Sequence, residues 1–277
     1  MQFKKAGNIE MIEMKKKMTM LILSCDKFSD LWDGHVKQLE TYWPDREMDT
    51  YIVTDKQSKK KYNNVNIFSA GDNVEWSDRL LKALDMVKTE YVFITLDDYF
   101  LIRPVSTSKI SKLIEMMEQY DLDYVRLFKR PTKATREAIP NFPKAYMIDC
   151  GFKYSVNLYS GMWKTKFMKN CVAEPLDPWK FEVELPKMAC AYGAKCAVSN
   201  NKDFVILDVV RKGKLLHNSH YYFKRHPGIY DGDRKVNSWG YELPLAIKTI
   251  VGRYTPMPVH NKIKKVMRKF GYQFFSE

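Results

Sequence analysis

The stretch from Glu90 to Phe100, EYVFITLDDYF, decides the fold of this 277-residue chain. Its apolar run over 91–96 predicts a buried parallel strand, and two adjacent carboxylates, Asp97 and Asp98, follow directly. Carboxylates are costly to bury unpaired, and a bound divalent cation would offset that cost. The carboxyl ends of parallel strands are also where open α/β sheets bind ligands. The simpler alternative is that Asp97 caps a turn while Asp98 is solvated, and the pair alone leaves both interpretations open.

Strand-like and helix-like segments alternate on the N-terminal side of this stretch. A short apolar strand ends in the polar turn 24–27, and apolar residues at helical spacing predict a helix over 28–43. Further strands are predicted over 49–55 and 65–68, and Trp76 opens another helix. Polar residues lie at the ends of the strands. The alternation predicts a nucleotide-binding half-domain of the α/β class.

Five short motifs follow one another along the chain: Ser24-Cys25-Asp26-Lys27, Trp43-Pro44, Ile52-Val53-Thr54-Asp55, Trp76-Ser77 and Leu96-Asp97-Asp98-Tyr99-Phe100-Leu101. In this order they resemble bacterial glycosyltransferases of the GT-A fold. They are most similar to those that assemble capsule, O-antigen and other surface polysaccharides. The resemblance implies an α/β, GT-A (Rossmann-like) nucleotide-sugar-binding fold with a mixed central sheet and a C-terminal helical appendage.

The resemblance also implies a domain organisation. Residues 1–17 form a basic N-terminal extension, and 18–225 form the GT-A glycosyltransferase domain. Within it, 18–105 is the nucleotide-binding half, where the resemblance is strongest, and 145–225 is the acceptor half. Residues 226–277 are the helical appendage.

A divalent metal, Mn²⁺ or Mg²⁺, is the cofactor that the resemblance implies. In GT-A enzymes a short acidic motif, usually Asp-x-Asp, binds the metal that holds the diphosphate of the donor. Here Leu96 replaces the first acidic position, which leaves open whether Asp97 or Asp98 is the ligand and whether a metal is needed. A downstream histidine completes the shell in some of these enzymes, and His217 or His220 is the candidate, although a lone histidine is more often structural.

The implied donor is a nucleotide sugar, with a UDP-sugar expected. Ser24, Asp26 and Asp55 follow the first two strands and would surround the base and ribose together with Asp97. Ribose hydroxyls favour a carboxylate acceptor. Arg79, in the first turn of the helix that begins at Trp76, either contacts base or phosphate or pairs with a neighbouring aspartate.

The implied acceptor is a saccharide or a lipid-linked saccharide. Inverting transfer needs a base for the acceptor hydroxyl, and Glu182, after a Pro-rich turn, is the candidate. Asp177 is a second candidate for the base and for the acceptor site, and a capping or surface role is the alternative for both. Trp163 either stacks on a sugar ring or packs in the core. A strand over 145–148 is predicted to pair with one over 153–158 as an antiparallel hairpin.

The charge of the chain limits its partners. The net charge is +13, with 46 Lys and Arg against 33 Asp and Glu, so an anionic partner is expected. No nucleic-acid-binding signature accompanies it, and no nucleic acid is predicted. An anionic membrane surface fits better, because the segment 259–275 alternates apolar and basic residues at helical spacing. The competing interpretation is that this helix packs on the protein's own core.

The hydrophobic segments and the cysteine spacing predict the cellular location of the protein and the state of its cysteines. No apolar run approaches the ~18 residues that span a bilayer, and residues 1–17 lack a signal-peptide hydrophobic region. A cytoplasmic location is expected, with peripheral attachment to the inner face of the membrane. Five cysteines without CxxC spacing argue against both a disulfide framework and a zinc site.

Two other functions compete with glycosyl transfer. A sugar-nucleotide-forming nucleotidyltransferase would carry a Gly-rich loop after the first strand, and the stretch 24–29 contains no glycine. A basic nucleic-acid-binding domain would leave the placement of Asp97 and Asp98 unexplained.

Overall fold

The computed structural model of the protein describes residues 17–128, 134–173 and 175–254. Most of the predicted basic extension and the whole amphipathic segment 259–275 lie outside the described residues. The predicted domain boundaries therefore stay predictions.

The chain alternates strands and helices as the sequence predicts. The strands are β1 (Met18–Leu23), β2 (Thr50–Thr54), β3 (Asn66–Ser69), β4 (Tyr91–Leu96), β5 (Tyr99–Leu101), β6 (Tyr124–Arg126), β7 (Thr135–Ala138), β8 (Ala145–Ile148), β9 (Gly161–Lys164), β10 (Cys196–Ser199), β11 (Ile206–Asp208), β12 (Val210–Arg211) and β13 (Lys214–Leu215). The α-helices are α1 (Trp32–Tyr42), α2 (Trp76–Met86), α3 (Thr107–Gln119), α4 (Thr165–Cys171), α5 (Pro178–Ala191), α6 (His217–Arg225) and α7 (Trp239–Tyr254).

Nine strands form one mixed sheet in the order β3-β2-β1-β4-β9-β6-β10-β8-β7. The first four are mutually parallel, whereas β9 runs antiparallel to both β4 and β6. Two small ribbons, β5 with β11 and β12 with β13, lie outside this sheet. The predicted α/β class with a mixed central sheet is confirmed.

The side chains of β1 alternate between two cores, as the pleat of a strand requires. Met18, Met20 and Ile22 contribute to a core shared with α1 and α3. Leu21 and Leu23 contribute to a second core, shared with α2, α4 and α5. The sheet is therefore the middle layer of three, and both of its faces are covered by helices.

One expectation about local structure needs a corrected boundary, and another is wrong. The predicted helix over 28–43 begins only at Trp32, after a short 3-10 turn over Asp26–Phe28. The predicted hairpin is also absent from the described residues, because β8 uses both of its edges to pair with β7 and β10. Residues 153–158 form turns instead of a strand.

The parallel strands bring their carboxyl ends to one edge of the sheet, called here the donor edge: the residues after β1, β2 and β4. The segment after α6 is fastened close to this edge by Arg234, whose guanidinium donates to both carboxylate oxygens of Asp30 at 2.6 Å. The same guanidinium lies 4.5 Å from the ring centre of Phe28. No helix within the described ranges is long and apolar enough to cross a membrane.

Candidate active site

The two adjacent aspartates lie in the tight turn between β4 and β5, at the centre of the donor edge. The backbone N–H of Asp97 donates to the carbonyl of Leu23 at 3.1 Å, which continues the pairing of β4 with β1. The carbonyl of Asp98 accepts from the backbone N–H of Val209 at 2.9 Å. The turn is therefore held on both sides by backbone from distant parts of the chain.

Asp97 is buried but well supported. Its carboxylate accepts a short hydrogen bond from the Ser24 hydroxyl, which itself accepts from the indole N–H of Trp32 at 2.7 Å. Beneath the turn, Nδ1 of His35 lies 3.1 Å from the Asp97 carbonyl. Burial lowers the pKa of His35 to about 4, so this imidazole is neutral at pH 7 and donates through Nδ1. Burial raises the pKa of the Asp97 carboxyl.

Asp98 is half-buried, and it has no such support at its buried oxygen. Its Oδ1 atom has no hydrogen-bond partner within the described residues. Burial raises the pKa of the Asp98 carboxyl well above its usual range, and the nearby Asp97 and Asp208 carboxylates raise it further. An unpartnered buried oxygen on a carboxylate is costly, and a bound cation would offset that cost.

Asp208 is a site residue that the sequence did not reveal. It stands opposite Tyr99 in the β5–β11 ribbon, and so lies directly beside the acidic turn. Burial raises the pKa of the Asp208 carboxyl, and the Arg211 guanidinium, 2.5 Å away, opposes that rise. The only sequence signal is an acidic residue at the end of a short apolar run, which is common.

Three stacked aromatic rings form one wall of the site. The rings of Tyr99 and Tyr159 lie 5.6 Å apart, and those of Phe128 and Tyr159 lie 4.6 Å apart. Burial raises the pKa of both tyrosines, and the carboxylates of Asp98, Asp208 and Glu182 add to the effect. Tyr159 therefore lies near both the acidic turn and the candidate base.

Glu182 reaches the same region from α5. Burial raises the pKa of its carboxyl, while a hydrogen bond from the backbone N–H of Leu158 lowers it. The Asp177 carboxylate is instead part of the helix terminus, because its Oδ1 accepts from the backbone N–H groups of Trp179 and Lys180 at 3.0 Å each. Asp177 is therefore the N-cap of α5. A capping role is the alternative that the sequence analysis gives for Asp177, in place of a role as base or in the acceptor site.

The predicted donor-binding residues lie together at the donor edge. Asp55, after β2, accepts from the backbone N–H of Asp26 at 2.6 Å, which ties the ends of β1 and β2. Arg79 donates from Nη1 to the carbonyl of Ser24 at 2.7 Å. Burial raises the pKa of the Asp55 carboxyl, but the hydrogen bond from Asp26 and the charge of Arg79 outweigh burial and lower it. The Ser24 hydroxyl donates to the Asp97 carboxylate. Arg79 stays partly exposed, with the Asp55 carboxylate nearby.

Two predicted site residues have partners within the protein. Trp163 is fully buried in the core and packs on Tyr124 with ring centres 4.0 Å apart, so stacking on a sugar is excluded by its burial. His217 begins α6, where its Nδ1 lies 2.8 Å from the Glu242 carboxylate and its ring stacks on Trp239 at 3.7 Å. The structure thus gives His217 a carboxylate partner, and its metal role stays a prediction.

The residues present fit a divalent cation with few protein ligands. No group of three or more His, Cys, Asp or Glu side chains that could hold a metal ion occurs within the described ranges. Mg²⁺ is often bound through only one or two carboxylates, with water and substrate phosphates completing its shell. Asp98, with its unpartnered buried oxygen, and the adjacent Asp97 match that donor set.

Comparison with known proteins gives distant structural likenesses. No protein-family model matches the chain, and no curated protein matches it. S. aureus TarS 1-349 in complex with UDP-GlcNAc is 12% identical, with a TM-score of 0.47, over 72% of this chain and 60% of that one. Mannosyltransferase PcManGT from Pyrobaculum calidifontis, in complex with GDP-Man and Mn²⁺, is 13% identical, with a TM-score of 0.47, over 93% and 81%.

A cytidylyltransferase from Leptospira borgpetersenii is 11% identical, with a TM-score of 0.42, over 78% of this chain and 98% of that one. The chain spans about three fifths of the length of the TarS 1-349 structure. Glycosyltransferases and a nucleotidyltransferase are thus both among the structural neighbours.

Proposed function

We propose that the protein is a glycosyltransferase that uses a nucleotide sugar and a divalent metal. The observation that carries the proposal is the half-buried carboxylate of Asp98, which follows a central parallel strand and has one buried oxygen without a hydrogen-bond partner. A site that accumulates buried carboxylates is set up to hold a cation and, through it, an anionic ligand.

The donor edge offers a partner for each part of a nucleotide sugar. Asp97 and Asp98 would hold the metal, which when bound stabilises the negative charge that develops on the leaving diphosphate. Asp26 and Asp55 would accept hydrogen bonds from the ribose hydroxyls. Arg79, beside them, would contact base or phosphate. A UDP-sugar is the expected donor.

Glu182 is the proposed base. A carboxyl that is to take a proton near neutral pH works better when its pKa lies above the ordinary carboxyl range, and burial raises the pKa of Glu182. Tyr159 is electrostatically coupled to both Glu182 and Asp98, so the space between those carboxyls is where donor and acceptor would meet. The acceptor proposed is a saccharide or lipid-linked saccharide of a surface polysaccharide such as capsule or O-antigen.

A nucleotidyltransferase is the second candidate, since it too would bind a nucleotide at this edge. The loop after β1 argues against it, because residues 24–29 contain no glycine to wrap a triphosphate. Instead this loop forms a 3-10 turn whose first backbone N–H is already occupied by Asp55. Little free backbone N–H is left there for phosphate oxygens.

Thermal unfolding with a panel of nucleotides separates the two. We expect a nucleoside diphosphate, UDP or GDP, to raise the melting temperature in the presence of Mn²⁺ and much less in EDTA. Stabilisation by CTP or UTP alone, with no response to any diphosphate, would support the nucleotidyltransferase instead.

A further inference from the structure

Arg211 brings a positive charge to the acidic cluster of Asp97, Asp98 and Asp208. It ends β12, three residues after Asp208, and its guanidinium lies 2.5 Å from the Asp208 carboxylate. Asp208 stands opposite Tyr99, the residue after Asp98, and the Arg211 charge opposes the rise that burial causes in the pKa of Asp98 and of Tyr159. The guanidinium is therefore close to the metal-binding turn as well as to its ion-pair partner.

The backbone around Arg211 is held by neighbouring residues, whereas its side chain is partly exposed. The β12–β13 hairpin turns through Lys212 and Gly213, which both have positive φ, 53° and 74°. Nδ2 of Asn237 donates to the Arg211 carbonyl at 3.1 Å. In contrast, 42% of the Arg211 side chain is exposed to solvent. Because its backbone is anchored and its guanidinium is partly exposed, Arg211 can exchange one partner for another without moving the hairpin.

The charges around Arg211 predict when it exchanges Asp208 for another partner. Without ligand, the surplus of carboxylates attracts Arg211, and Asp208 is its partner. When a cation occupies Asp98 and a diphosphate arrives, the cation reduces that attraction and the phosphate oxygens supply a new one. The planar fork of a guanidinium matches two phosphate oxygens at once, which a single ammonium does not.

We propose that Arg211 binds the diphosphate of the donor, leaving Asp208 to do so, and thereby makes the site select nucleoside diphosphates over nucleosides. This rests on the proposed function, since it takes the ligand to be a nucleotide sugar. The hairpin that follows β11 then contributes a donor-binding residue that none of the five sequence motifs contains.

Calorimetry with matched ligands tests the proposal on the full-length protein with Mn²⁺ present. The probes are UDP and uridine, with GDP and guanosine in parallel. Arg211→Gln should weaken binding of the diphosphate by about 10- to 100-fold, as expected for loss of a charge-assisted hydrogen bond, and leave nucleoside binding unchanged. Arg211→Lys should fall between Arg211→Gln and the wild type. Arg225→Gln, which removes a guanidinium from α6 that stacks on Tyr221, is the control and should change neither affinity.

A second variant separates ligand binding from a purely structural ion pair. Asp208→Asn releases Arg211, so diphosphate binding should stay or become tighter, whereas a structural ion pair would make both variants weaken binding alike. The proposal is overturned if Arg211→Gln leaves diphosphate affinity unchanged, or lowers diphosphate and nucleoside affinity equally. Failure of the wild type to bind any nucleotide would instead overturn the proposed function, and this inference with it.

Discussion

Replacing Asp98 with asparagine should make the protein more stable and inactive at the same time. The substitution keeps the size of the side chain and removes the charge from an oxygen that has no hydrogen-bond partner within the described residues. Leaving a buried polar group unsatisfied costs about 1–3 kcal/mol, and more when the group is charged. We therefore expect the metal-free variant to gain about 2 kcal/mol in free energy of unfolding, or about 4–8 °C in melting temperature.

The gain should depend on pH in a definite direction. Burial and neighbouring carboxylates raise the folded-state pKa of Asp98 above its ordinary value of 3.8. A raised carboxyl pKa means that stability is fully present below the unfolded-state pKa and is lost as pH rises through the folded-state pKa. The advantage of Asp98→Asn over the wild type should therefore be larger at pH 8 than at pH 5.

Chemical and thermal unfolding in EDTA at both pH values measure this. Asp45→Asn, at an exposed position in the turn after α1, is the matched control and should change stability little. In the same preparations, sugar transfer should fall by at least about a hundredfold in Asp98→Asn. The variant would no longer hold the metal that stabilises the negative charge on the leaving diphosphate. A variant that is less stable than the wild type at pH 8, or a gain that does not change with pH, would refute the reasoning.

Three further predictions concern other parts of the molecule. Glu182→Gln should abolish transfer while nucleotide affinity by calorimetry stays near wild type, because a base acts only in the chemical step; equal loss of both would make Glu182 a donor-binding or structural residue. Burial lowers the pKa of His35 from 6.5 in the unfolded chain to about 4 in the folded protein, so the contribution of His35 to folding stability is lost as pH falls below 6.5. The stability advantage of the wild type over His35→Gln should therefore shrink by about 2 kcal/mol between pH 7 and pH 5, and a constant difference would contradict a buried neutral imidazole. We also propose that residues 259–277 attach the protein to anionic membranes: the full chain should co-sediment with anionic vesicles at low salt, high salt should release it, and deletion of 259–277 should abolish binding without loss of donor hydrolysis. Persistent binding, or unfolding, of the truncated protein would place this segment in the core.

The parts of the site that the sequence predicted are those close to strand ends. The apolar run before Asp97 was long enough to identify β4, and parallel strands must end at a common edge. The contact between Asp26 and Asp55 follows from that rule, since each residue comes just after its own strand. Local chain direction and the pleat of the sheet are enough for this much of the fold.

The parts that escaped prediction depend on distant pairings. Asp208 joins the site only because β11 pairs with β5, which neither short strand indicates alone. Trp163 is buried because β9 lies between β4 and β6 in the middle of the sheet. His217 pairs with Glu242 on a helix whose docking position is set by tertiary packing. No local pattern in the sequence distinguishes these partners from solvent.

The most direct test of the account is a donor-hydrolysis screen across UDP-, GDP- and CMP-sugars with Mn²⁺. The wild type should release the free nucleotide from at least one donor, and Asp98→Asn and EDTA should each suppress that release. If no sugar nucleotide is hydrolysed or bound, while a nucleoside triphosphate and a sugar phosphate yield pyrophosphate, the protein is not a glycosyltransferase and the account is contradicted.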